Sequence, residues 1–189
     1  MADLTTRAEV KEALKLTGTT DDAFIDDLIA ACTPFCQAIT GYTLVNDAAH
    51  VRVLDGEGFD VIDLRERPVN SVTSVWEDFE RVWGSDTLLT AGTDYYLDAR
   101  NGLLYRANGL PWIDWPQSIK VQMNVGYSTI PKDLERAAIE IVSIAWRLRT
   151  RAGIASTSSP DSAVYYRNEE IVARAKTLLW KYSRFRGVA

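Results

Sequence analysis

The sequence predicts an α+β fold, a helical bundle drawn from the N- and C-terminal helices with an inserted antiparallel β module. Three observations predict it. Apolar residues recur every three or four positions at both ends of the chain, the period shortens to two from about residue 50, and short strand-like runs up to about residue 130 are separated by turn dipeptides. The expected boundaries are 1–45 and 131–189 for the helical body and 46–130 for the β module. Each terminal helix offers a single apolar stripe, so bringing the two ends together buries most surface and leaves the sheet as an insertion. At 189 residues the chain is long enough to bury a core without disulfides or metals.

The elements follow in order. Thr6 and Glu9 stand at capping-box spacing ahead of a helix of about 11 residues that Gly18 ends. Thr20, followed by Asp21 and Asp22, opens a second helix. Its stripe is Phe24, Ile25, Leu28, Ile29, Cys32, Phe35, Cys36 and Ile39, and Gly41 closes it. Pro34 predicts a kink near Ala30 and Ala31 if this helix is continuous, because proline lacks an N–H and crowds the preceding turn. Val51 to Leu54 and Phe59 to Leu64 alternate on either side of Asp55-Gly56-Glu57-Gly58, which reads as a hairpin. A third strand opens at Arg67-Pro68-Val69 and runs to about Phe79, and 80–93 reads as loop. Strands at Tyr95 to Leu97, Gly102 to Arg106 and Ser118 to Val125 follow, all read as local pairings. Pro131 starts a long helix with the seam Leu134, Ala138, Ile141, Ala145 and Leu148. A last helix, about Asp161 to Tyr182, carries Ile171, Ala175, Leu178 and Tyr182 on one face.

The net charge of −5 hides an asymmetry. Residues 1–131 carry 10 basic against 20 acidic side chains, and 132–189 carry 11 against 6. This contrast predicts either an interaction surface or a solvated basic face. The apolar runs are shorter than the ~18 residues of a membrane span, and Met1-Ala2-Asp3-Leu4 lacks the basic lead and apolar stretch of a secretory signal, so a soluble chain is expected. Two cysteines fit a reducing compartment better than a disulfide framework.

Reactive constellations are sparse. Cys32, Cys36 and the single histidine, His50, leave a structural zinc site one ligand short, so the cysteines read as core. A hydrolase would need His50 as its base or the Asp55 to Asp63 carboxylates, and no nucleophile-elbow sequence accompanies them. Those carboxylates lack the alternating pattern of a calcium loop and read as a solvated turn. No phosphate-binding glycine loop is present. Trp76, Trp83, Trp112 and Trp115 gather in the β module, where packing competes with a carbohydrate- or other ligand-binding face.

The order of these features resembles the tailed-phage head–tail connector proteins, also called portal adaptors or head-completion proteins, in the subgroup with a β insertion. The resemblance rests on the Thr-capped first helix, the Thr-Asp-Asp start and Gly41-Tyr42 end of the second, Asp55-Gly56-Glu57-Gly58 and Arg67-Pro68-Val69. It continues through Thr93-Asp94-Tyr95-Tyr96, Asn101-Gly102-Leu103-Leu104, and Gly126-Tyr127-Ser128 leading to Ile130-Pro131 and Leu134. It implies a virion structural protein at the head–tail interface, made in the host cytoplasm, with no catalytic residues, cofactor or metal and no membrane partner. It also implies a homo-oligomeric ring of about twelve subunits under the portal protein, monomeric or not before assembly. A next head-completion or tail protein would follow it, and genomic double-stranded DNA would pass through the lumen without sequence readout. Within that frame the basic C-terminal stretch supplies the portal-docking candidates Arg167, Arg174, Lys176, Lys181, Arg184, Phe185 and Arg186.

Overall fold

The computed structural model describes residues 3–151 and 171–184, and the chain divides into two compact units, Met1–Gly41 with Thr129–Ala189, and Tyr42–Ser128. It is an α+β protein with helices at both ends and two antiparallel sheets, the class the sequence predicts.

In the helical unit, α1 spans Arg7–Leu14 behind the expected capping box, with the Thr6 N–H donating to Glu9 Oε2 at 2.9 Å. It stops earlier than Gly18 implies: Lys15 enters the left-handed region at φ 57 and its N–H returns to the Glu12 carbonyl at 3.1 Å. The second helix, α2, spans Asp22–Thr40 and runs as one helix through Pro34, whose missing N–H leaves the Ala30 carbonyl without its usual donor. Asp21, not Thr20, is its N-cap, and Gly41 ends it at φ 76 with its N–H on the Gln37 carbonyl at 2.8 Å. The third, α3, spans Lys132–Arg151. The described part of α4 covers 171–179 and tightens into a 3-10 turn at Trp180–Tyr182.

Val10 of α1, Ile25, Ile29, Cys32 and Cys36 of α2, Leu134, Ala138, Ile141 and Val142 of α3, and Ala175 and Leu179 of α4 are among the buried side chains. Part of each stripe read from helical spacing is therefore core, while Phe24, Leu28, Phe35 and Ile39 of α2, Ala145 and Leu148 of α3, Ile171 and Leu178 of α4, and Tyr182 in the turn after it are only half-buried. Helix α2 is long and apolar enough, by length and composition alone, to cross a membrane. Its burial of Ile25, Ile29, Cys32 and Cys36, and the aspartates 22, 26 and 27 in its first two turns, mark it as a core helix instead. Two cations hold α1 to α2: Arg7 Nε donates to Asp26 Oδ1 at 2.7 Å and Lys11 Nζ to Asp22 Oδ1 at 2.6 Å.

The β unit contains β1 Asp47–Leu54, β2 Val61–Asp63, β3 Val69–Glu77, β4 Leu88–Leu89, β5 Tyr95–Asp98, β6 Leu103–Arg106 and β7 Ile119–Val125. One sheet runs β1-β7-β3-β4 and the other β2-β6-β5. Only part of the local pairing predicted from sequence is present. Strands β5 and β6 do form a hairpin, turned at Gly102 with φ 63. Strands β1 and β2 do not: β1 pairs with β7, Leu54 opposite Ile119 and Arg52 opposite Val121, while β2 pairs with β6.

The reason is visible at both ends of the expected turn. Strand β7 buries Ile119, Val121, Met123 and Val125 on one face and so takes the centre of its sheet, flanked by β1 and β3. Gly56 is used for close approach: a Cβ there would lie 1.7 Å from the Ile113 carbonyl oxygen, and its N–H donates to the Trp115 carbonyl at 2.9 Å. The stretch expected as loop at 80–93 contains β4, which adds two residues to the edge of β3. Leu54, Ile62, Leu64, Val69, Val75, Tyr95, Leu104, Trp112 and the four β7 residues form one buried cluster.

Candidate interaction surfaces

The helical unit places the described members of the basic C-terminal set on α4 and the turn after it. Arg174 Nε donates to Glu140 Oε1 of α3 at 2.7 Å. Lys181 Nζ and the Tyr182 hydroxyl both reach Asp133 in the first turn of α3, at 2.6 and 2.5 Å. The Lys181 bond first, and the Tyr182 bond next, pull the Asp133 carboxyl down to about 2. Lys176 is exposed, and Arg184 is exposed with its backbone N–H on the Thr40 carbonyl at 2.8 Å. Arg167, Phe185 and Arg186 lie outside the described residues. The C-terminal turn is thus fastened to α2 and α3, with cationic and aromatic groups, Trp180 among them, left toward water.

The reactive candidates resolve into structural roles. Cys32 and Cys36 are buried with sulfurs 3.7 Å apart, and the neighbouring thiol, then burial, push the Cys32 thiol up, which makes it a poor ligand or nucleophile. Among the described residues no three His, Cys, Asp or Glu side chains gather as a metal site. The Asp55 to Asp63 carboxylates diverge: Asp55 Oδ1 accepts from the Gln117 N–H at 2.8 Å, while Asp63 Oδ1 accepts from the Arg65 N–H at 2.8 Å. Trp112 is fully buried, Trp76 and Trp83 lie 4.9 and 5.7 Å from the Lys120 ammonium, and Trp115 is exposed. Four rings in three environments do not make one stacking face.

Sequence reasoning missed the hub that organises His50. Glu66 is buried, accepts from the Thr43 N–H at 2.8 Å, and takes the Arg52 guanidinium through Nε at 3.2 Å and through a shorter Nη2 contact. His50 lies between carboxylates, Nδ1 3.2 Å from Asp47 Oδ2 and Nε2 3.3 Å from Glu66 Oε1. The only available signal was alternation: His50, Arg52 and Leu54 share one face of β1, two of them polar on the side that turns inward.

A family model described as head completion protein matches residues 3–184. The chain belongs to the head completion protein family. This agrees with the resemblance read from the ordered motifs, and it makes the chain a virion head–tail structural protein.

Solved structures with the same fold are parts of a gene transfer agent particle. A chain from the virion of the native particle superposes with a TM-score of 0.65 at 19% identity, covering 97% of this head completion protein and 91% of that chain. One from the neck of the empty particle, computed with C6 symmetry, gives 0.63 at 18%, covering 97% and 91%. One from the neck of the native particle, computed with C12 symmetry, gives 0.63 at 17%, covering 96% and 90%. Comparison with curated proteins gives no match.

Proposed function

We propose that this head completion protein works as a passive ring subunit, an adaptor under the portal that extends the DNA channel toward the next head-completion or tail protein. The observation that carries the reading is the family match over residues 3–184. The similar necks, computed with C6 and C12 symmetry, support a closed ring, and the higher of the two symmetries supports about twelve subunits. The subunit's work is done by surfaces, with no catalytic step, cofactor or membrane, and the chain reaches the virion after synthesis in the host cytoplasm.

In this reading residues 1–45 and 131–189 are the ring-forming body and 46–130 an insertion that meets neighbouring components. The basic stretch docks on the portal through Lys176, Lys181, Arg184 and Arg174, continued by Arg167, Phe185 and Arg186. Its fastening to Asp133 and Glu140 supports a preformed docking turn. Double-stranded DNA passes without sequence readout, because an acidic body does not grip phosphate. Sedimentation of the chain with its cognate portal tests the proposal: a complex of higher mass than either component is expected, and deletion of residues 183–189 weakens it without unfolding the chain. Separate sedimentation of the two at micromolar concentration would reject it.

A further inference from the structure

One end of the β unit is built from segments 55–60, 78–83 and 110–118, cross-linked by hydrogen bonds. Besides the Gly56 bond to Trp115, the Trp112 N–H donates to the Phe59 carbonyl at 2.8 Å and the Asp78 N–H to the Ser118 carbonyl at 2.7 Å. Arg81 Nη2 reaches the Pro116 carbonyl at 3.0 Å. Asp78 folds the middle segment, its carboxylate accepting from the N–H groups of Glu80, Val82 and Trp83 at 2.8, 2.9 and 2.9 Å. Those amides, Trp83 first, hold its carboxyl below the usual range. Arg81 and Trp83 are kept in the left-handed region at φ 63 and 59, which non-glycine residues enter only under constraint.

This scaffold holds large apolar side chains in water. Phe59 is 63% exposed, Phe79 57%, Val82 74%, Leu110 55% and Trp115 50%. Single exposed apolar residues are ordinary on any protein; five at one end, on loops that hydrogen bonds keep from collapsing inward, mark an interaction surface. Around them stand the exposed carboxylates of Glu57, Asp60, Glu80 and Asp114. The single cation in the three segments is Arg81, already engaged with Pro116.

We propose that this tip docks a protein partner of complementary chemistry, an apolar ridge flanked by lysine or arginine. Phe79, Val82 and Trp115 are the anchors that lose water on contact, and the carboxylates steer the partner and reject acidic surfaces, including nucleic acid. The inference stands on the β unit alone and does not depend on the ring.

The test uses the full chain and two labelled amphipathic helical peptides of equal length, one of leucine and lysine and the other of leucine and glutamate, read by fluorescence anisotropy. The lysine peptide binds and the glutamate peptide does not. Phe79→Ser with Val82→Ser weakens binding about tenfold or more while circular dichroism and thermal midpoint stay unchanged. Glu57→Lys with Glu80→Lys weakens it similarly and flattens its salt dependence, a second variant that stays informative if the first fails to fold. Binding of neither peptide, equal binding of both, or full binding by the serine variant overturns the proposal. Concentration-dependent self-association that the serine variant abolishes would name a second copy as the occupant and overturn it as well.

Discussion

Lys181 Nζ lies 2.6 Å from Asp133 Oδ2 and joins the last turn of the described chain to the first turn of α3. The Tyr182 hydroxyl shares the same carboxylate, at 2.5 Å from Oδ1. Both bonds favour the ionised carboxylate, so its folded-state value sits near 2, below the ~3.9 of a free aspartate.

A depressed carboxylate contributes stability that is fully present above the unfolded value and is lost as pH falls through the folded one. Urea midpoints should therefore fall between about pH 4 and pH 2, and Asp133→Asn should remove part of that slope. Because both side chains are more than half exposed, the contribution at neutral pH is small, and about 1 M salt should erase most of it. An unchanged acid slope in the variant would show that the clamp does not act in solution.

Glu66 is the buried acid on which the loop at Thr43, the β1 strand through Arg52 and the His50 ring converge. Glu66→Ala leaves the Thr43 N–H and the Arg52 guanidinium without their acceptor, and a loss of about 3 kcal/mol in urea unfolding is expected. Glu66→Gln keeps an acceptor oxygen and should cost less. Equal stability of the alanine variant and the parent would contradict the role.

Gly56 and Gly92 separate two reasons for glycine. Gly56→Ala drives a methyl into the Ile113 carbonyl, at 1.7 Å before relaxation, and should lower stability by more than about 2 kcal/mol and loosen the loop cluster. Gly92→Ala meets open space but must adopt φ 80, and should cost about 1 kcal/mol. Thermal melts of the two variants, ranked in that order, check the reading.

Trp112 and Trp115 are three residues apart and opposite in role. Trp112 is buried in the β core with the Arg106 guanidinium 5.2 Å from its ring, and Trp112→Ala should cost about 4 kcal/mol. Trp115 is half exposed, and its alanine variant should stay within about 0.5 kcal/mol of the parent in chemical denaturation.

What the sequence made legible was local. The Thr6 and Glu9 cap, the Gly41 stop, the Pro131 start, the α2 and α3 stripes and the alternation of β7 each depend on residues within a turn or a strand of one another, where spacing determines contact. Strand partnership was not legible in the same way. The alternation of Val51 to Leu54 specifies a face but not a neighbour, and Asp55 to Gly58 carries turn residues that serve the approach of the 110–117 segment. Glu66 was invisible for a related reason: its partners Thr43, His50 and Arg52 are 14 to 23 positions away, and a lone glutamate before Arg67-Pro68 has the composition of any surface turn. The basic C-terminal set stood out as charge, yet only the folded chain reveals that Arg174 and Lys181 are already paired with Glu140 and Asp133.

The most direct test of the central claim is electron microscopy of the purified chain mixed with its portal. A ring of added density, coaxial with the portal and about twelvefold symmetric, is the result the proposed function predicts. Portal particles indistinguishable from those imaged alone would contradict it.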